Sequence, residues 1–224
     1  MNDKKVISLL SCLITEKRLD RFEEILAQRM RYFAVGLEDI YQSQNASAVL
    51  RTCECFGVQD IHIIENYNPY TINPLVVQGS DKWLNIHRHY QKEYNSEEAV
   101  KCFKSEGYRI IATSLDAKSV NLTDFDVERG KFIVIFGNEH QGVSDCIMRY
   151  SDEQLKIPMC GFTQSLNLSV SAGIIISQLT EKIKNSNIMW QLTLEENESL
   201  LAEWLKKSVK NSQMIINRFS VEDK

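Results

Sequence analysis

No stretch of eighteen or more apolar residues occurs in the 224-residue sequence, so no segment reads as a membrane-spanning helix. Behind Met1-Asn2-Asp3-Lys4-Lys5 stands only the short apolar run Val6 to Leu10, with no small-residue cleavage site, which argues against a signal peptide. There are three prolines, no low-complexity tract and no internal repeat. No C-x-x-C pair or His/Cys cluster accompanies the six cysteines, of which Cys53-x-Cys55 is the only close pair. No zinc site is therefore expected, and the thiols read as buried, reduced and cytosolic. A G-x-G-x-x-G fingerprint and a Gly-Lys-Ser/Thr phosphate loop are both missing, which counts against a dinucleotide fold and a triphosphate site.

Apolar residues make up 43% and charged residues 25%, the balance of a globular protein with a real core. The length allows one substantial domain with extensions, or two small ones. Net charge is −4, which does not by itself suggest a nucleic-acid binder. Its distribution is uneven. Residues 1–31 carry seven Lys/Arg against five Asp/Glu, residues 201–224 carry five against three, and the stretch between is −8. Positive ends can gather phosphates, but read alone they are better explained as solvated helix faces.

Residues 3–31 have helical apolar spacing, with Arg18 and Arg21 on one face and an interruption near Thr15 to Arg18. From residue 33 short apolar strands alternate with helices. Strands are expected over 33–41, 60–65, 85–90, 108–113, 131–136 and 154–157. Helices are expected over 45–57, 96–107, 143–150 and 165–184, with Asn45 and Ser96 as N-caps. This alternation predicts an α/β fold with a mostly parallel sheet covered by helices. Residues 192–218 read as a C-terminal helical segment with a Leu200, Leu201, Trp204, Leu205 stripe.

Ligands of such sheets bind at the carboxyl ends of strands. Three segments fall there: Asn45 to Arg51, Phe136 to Ser144, and Ile157 to Ser171. Singly each has an ordinary explanation. Asn45 could simply cap a helix, and Gly137 and Gly142 could shape a tight loop or admit a ligand close to the backbone. His140 has a side chain suited to proton transfer at neutral pH, but its position reads as surface loop.

Taken in order, the three segments resemble the motifs of the SpoU/TrmH family, part of the SPOUT class of RNA 2′-O-ribose methyltransferases. The matches are N-x-x-x-x-x-R, F-G-x-E-x-x-G-V-S and I-P-M-x-G-x-x-x-S-L-N-L-S, and the likeness runs over about residues 15–185. The stretch Glu16 to Leu26 is similar to the tRNA-specific branch, whose target is the D-loop guanosine at tRNA position 18.

The resemblance implies a SPOUT domain over 33–186 with a deep trefoil knot at about 130–185, an RNA-binding helical extension over 1–32, and a C-terminal helical extension over 187–224. It implies S-adenosylmethionine as cofactor, held largely by backbone groups around Thr113, Ser114, Gly137, Ile157, Leu166 and Leu168. It assigns catalysis to Arg51, with Asn45, Glu139, Ser165 and Asn167 completing the hydrogen-bonding shell. Arg51 either gives up a proton in the complex or holds a phosphate and polarises the hydroxyl. Arg18, Arg21 and Arg29 would grip tRNA. A cytoplasmic homodimer is implied, with each site drawing on both chains and no metal or membrane involved. Ribosomal RNA as substrate, or a catalytically silent RNA-binding dimer, are the other readings the same fold allows.

Overall fold

The computed structural model describes residues 2–222, which divide into two compact units: residues 31–190, and residues up to 30 together with those from 191 onward.

The larger unit is built on a seven-stranded, all-parallel sheet: β1 (Phe33–Glu38), β2 (Asp60–Ile64), β3 (Asn85–His89), β4 (Arg109–Thr113), β5 (Val120–Asn121), β6 (Phe132–Phe136) and β7 (Glu153–Lys156). The spatial order is β3-β2-β1-β6-β4-β7-β5. Every residue of β1, β2 and β6 is buried, the pattern of strands covered on both faces. One face carries Ala34, Ile110, Ile133 and Ile135 against Val100 and Phe103 of α5 (Ser96–Ser105) and Ile147 of α6 (Asp145–Tyr150). Elsewhere α3 (Ser43–Phe56) packs on α7 (Leu168–Lys184), burying Val49, Leu50 and Cys53 from one and Ala172, Ile176 and Leu179 from the other. The short α4 (Pro74–Val77) begins at a capping Asn73. Among the described residues no helix is long and apolar enough to cross a membrane.

Several element boundaries differ from expectation. The first strand stops at Glu38 because Asp39 turns into the left-handed region, φ 53°. Helix α3 starts two residues before Asn45, so Asn45 caps nothing. Asn95, not Ser96, precedes α5, and the Ser96 hydroxyl instead donates to buried Glu38 at 2.5 Å. Helix α7 begins at Leu168, since the Asn167 side chain accepts from the Ser169 N–H at 2.9 Å and caps it. Of the six free cysteines only Cys53 is buried, while Cys12, Cys55 and Cys160 are exposed. This corrects the expectation of uniformly buried thiols.

Three of the four histidines gather on the outer strands. His62 pairs with His87 in the β2–β3 register, and His87 and His89 lie on the same side of the strand. His62 stacks on His87 with centroids 4.6 Å apart and meets Phe103 edge-on. Burial, helped by the neighbouring imidazoles, pushes the His62 pKa down to about 3. Nearby Asp60 is also buried, which alone would raise its carboxyl. Hydrogen bonds from His87, Arg31 and Asn85 outweigh this and hold it well below the usual carboxylate range.

In the smaller unit, α8 (Leu194–Ser208) packs on α1 (Asp3–Ser11) and α2 (Glu16–Leu26), with α9 (Ser212–Glu222) against α1 and α8. Trp204 is its largest fully buried side chain and meets Phe22 edge-on at 5.7 Å. Helix α8 starts with a reciprocal capping box between Thr193 and Glu196.

Candidate active site

Because all strands run parallel, the carboxyl ends of β1, β4, β6 and β7 open on one edge of the sheet, where a cleft of about 750 Å³ lies. Its lining includes Asn45, Glu139, Ser165 and Asn167, and also Thr113, Ser114, Gly137, Ile157, Leu166 and Leu168. Ten of the eleven expected catalytic and cofactor residues therefore meet in one place.

The organising group is the Glu139 carboxylate. It accepts hydrogen bonds from the Tyr41 N–H at 3.0 Å, the Gln42 N–H at 3.2 Å and the Asn45 amide at 2.8 Å. Burial would raise this carboxyl, but those donors, Asn45 foremost, outweigh burial and hold it below its ordinary value. Asn45 Oδ1 in turn accepts from the Asn167 amide at 3.2 Å. One chain of hydrogen bonds thus joins all three sequence segments. Asn45 is largely buried, so these protein partners carry most of its hydrogen bonding.

The Phe136 to Ser144 segment closes on itself as a tight loop, with Asn138 and Gly142 exchanging backbone hydrogen bonds at 3.0 and 2.8 Å. A Cβ on Gly137 would fall 2.1 Å from the Gly142 carbonyl carbon, and Gly142 itself has φ 73°. The two glycines answer to this loop closure; the close backbone approach at Gly137 is to Gly142. Asn138 donates to the Asp39 carbonyl at 2.8 Å, fastening the loop to the end of β1. Ser144 caps α6 and donates to Glu38 through its hydroxyl at 2.6 Å and its N–H at 2.8 Å.

Arg51 is the expected residue that lies elsewhere. It is exposed on α3, does not line the cleft, and makes no hydrogen bond or ion pair with the described residues. Six residues along a helix place it about 120° around the axis from Asn45. In the smaller unit, Arg18 lies over Phe22 and donates to Ser208, and Arg21 pairs with Glu24 while staying 68% exposed. Arg29 corrects the expectation: it is 1% exposed, with its guanidinium 5.4 Å from the Trp204 ring, and so is enclosed away from any phosphate.

Cleft residues outside the three segments that sequence reasoning missed are Gln42, Leu115, Met148, Leu155, Lys156 and Ile175. Gln42 and Lys156 directly adjoin strand ends or motif segments, and that adjacency was the available signal.

A model of the SpoU rRNA methylase family matches residues 32–177. A protein of Borreliella burgdorferi named tRNA (guanosine(18)-2′-O)-methyltransferase is 40% identical over 213 residues, covering 95% of each chain. A protein of Aquifex aeolicus with the same name is 33% identical, covering 90% of this chain and 94% of its own. Among solved structures, the A. aeolicus TrmH/SpoU tRNA modifying enzyme superposes with a TM-score of 0.76 at 33% identity, over 87% of this chain and 98% of the other. An AdoMet-bound rRNA methyltransferase of Sinorhizobium meliloti shares the fold at TM-score 0.60 and 23% identity, over 70% of this chain and 58% of that one.

Proposed function

The chain belongs to the SpoU methylase family, and from that premise we propose that it transfers a methyl group from S-adenosylmethionine to the ribose 2′-oxygen of a tRNA guanosine, the nucleotide at position 18 named for its relatives. The observation that carries this reading is the Glu139–Asn45–Asn167 chain of hydrogen bonds, which draws the three motif segments to the mouth of one cleft.

The cleft suits the cofactor. Apolar Leu115, Ile157, Leu166 and Leu168 can flank a flat adenine, while Thr113, Ser114 and the Gly137 backbone supply polar edges. Among the described residues no group of three or more His, Cys, Asp or Glu side chains is placed to hold a metal ion. When bound, S-adenosylmethionine supplies the activated methyl and a neutral thioether leaving group. The protein's task is to place and activate a very weakly acidic ribose hydroxyl. Glu139 fixes Asn45 and the turn at Tyr41–Gln42, and Asn45 orients Asn167. Ser165 and Asn167 then offer hydrogen bonds to the incoming ribose. Arg51 binds the phosphate beside it and polarises the hydroxyl, a task suited to a guanidinium that stays charged, and the hydroxyl proton passes to solvent as the C–S bond breaks and the O–C bond forms.

Arg51 reaches a cleft by projecting from a second copy of the chain. Its exposure outside its own cleft supports a homodimer with composite sites, as do the exposed apolar Phe162, Leu166 and Val170. The strand order supports a knot within about 130–185: β7 occupies an interior position between β4 and β5, both earlier in the chain. Arg18 and Arg21 on residues 1–32 contact tRNA phosphates, and the cytoplasm is where that substrate is met.

The test is to incubate the protein with labelled S-adenosylmethionine and unmodified tRNA, digest the RNA, and identify the labelled nucleoside. 2′-O-Methylguanosine from position 18 is expected, and labelling of ribosomal RNA alone would overturn the tRNA assignment.

A further inference from the structure

Tyr41 is a large aromatic residue left 64% exposed, although its backbone is firmly held. Its N–H and that of Gln42 both donate to Glu139, the carboxylate that organises the cleft. Its ring meets His140 edge-on, with centroids 6.0 Å apart and planes at 62°. His140 follows Glu139 directly, lines the cleft, and is fixed by donation from its N–H to Asn138 Oδ1 at 2.9 Å. Most of the Tyr41 ring is therefore left without burial inside its own chain. Neither ring takes part in the hydrogen-bond chain that serves the ribose.

A nucleotide whose 2′-oxygen enters the cleft carries its base one glycosidic bond away. That base must leave its own stack, and proteins that bind such bases meet them with aromatic faces. The Tyr41 ring is placed for this: it stands edge-on to cleft-lining His140, one residue from cleft-lining Gln42, on a backbone tied to Glu139. We infer that Tyr41 and His140 form a stacking platform for the base of the nucleotide being methylated, with Tyr41 supplying the main face. This rests on the proposed function, since it presumes an RNA ribose in the cleft. It adds a substrate-binding surface that the three motifs do not contain, because Tyr41 precedes the first motif and His140 occupies a variable position in the second.

The test uses the full chain with Tyr41→Ala, Tyr41→Leu, Tyr41→Phe and His140→Ala. For Tyr41→Ala and Tyr41→Leu, KM for unmodified tRNA is expected to rise about 5- to 100-fold. Tyr41→Phe should stay near wild type, and His140→Ala should show a smaller rise. Cofactor affinity by calorimetry and mass by light scattering should be unchanged in the Tyr41 variants. With a tRNA whose target nucleotide lacks its base, wild type and Tyr41→Ala should bind alike. Unchanged KM in Tyr41→Ala and Tyr41→Leu, equal loss with normal and abasic tRNA, or loss of cofactor binding or dimer mass would each overturn the inference. Absence of tRNA methylation by the wild-type protein would instead remove the functional reading beneath it.

Discussion

Arg51 stands apart from the side chains it is expected to serve, which makes its removal informative. Arg51→Ala should lower the methylation rate by at least about 100-fold, while cofactor affinity measured by calorimetry stays at the wild-type value. Arg51→Lys should rescue poorly, since an ammonium lacks the planar fork of donors. Gly137 tests the loop rather than the chemistry. A methyl group there meets the Gly142 backbone at 2.1 Å, and backbone cannot swing aside as a side chain can. Gly137→Ala should cost about 1–3 kcal/mol in urea denaturation and should weaken cofactor binding with it. At this scale the sequence was most readable where polar residues recur at strand ends. Asn45 and Glu139 are 94 positions apart, and Asn45 and Asn167 are 122 apart, yet they touch. Local spacing concealed the reason for Asn45: an Asn near a helix start looks like a cap, and only the long-range partner reveals a bridge. Glu38 falls inside the strand expected over 33–41, and nothing local marks that Ser96 and Ser144, far along the chain, bond to its buried carboxylate.

Elements were legible in kind and order, and less so at their ends. Buried parallel strands announce themselves as continuous apolar runs, as Phe132–Phe136 does. Helix α7 starts three residues later than expected, because Ala172-Gly173 and the apolar run after them point to a helix without marking its first residue. The Asn167 cap, fixed by its own side chain, sets the true start. That difference matters, since it leaves Ser165 and Asn167 outside the helix and facing the cleft. The terminal helices separate two roles for arginine that charge counting had merged. Arg18→Ala and Arg21→Ala should each weaken tRNA binding and reduce the slope of log affinity against log salt by about 1. Arg29→Ala should instead lower the thermal midpoint, because it empties space beside Trp204.

For the whole molecule, the histidine cluster ties stability to pH. The folded chain keeps His62 neutral down to about pH 3, whereas the unfolded chain protonates it near 6.5. Between those values the unfolded state binds the extra proton, so stability is full at neutral pH and falls on acidification. The slope is about 1.4 kcal/mol per pH unit for one such group, or roughly 3–5 °C of thermal midpoint at this chain length. Asp60 adds to the loss below its ordinary 3.8, because its folded carboxyl resists protonation. Calorimetry from pH 7 to 4 should show the decline, and His62→Leu should flatten it. Composite sites have their own signature at this scale. Mixing inactive Arg51→Ala and Asn45→Ala chains should restore part of the activity, because every mixed dimer carries one site with neither defect and one with both. No recovery after subunit exchange would exclude a site shared between copies.

The position of β7 also dictates a sequence of events in time. Strand β5 has β7 as its sole strand neighbour, and β7 follows every other strand along the chain. Until residues 153–156 have been synthesised and seated, one margin of the sheet stays open, and Leu155, Lys156 and Ile157 are not yet in place to wall the cleft. A nascent chain should therefore acquire most of its sheet before it acquires any affinity for its cofactor.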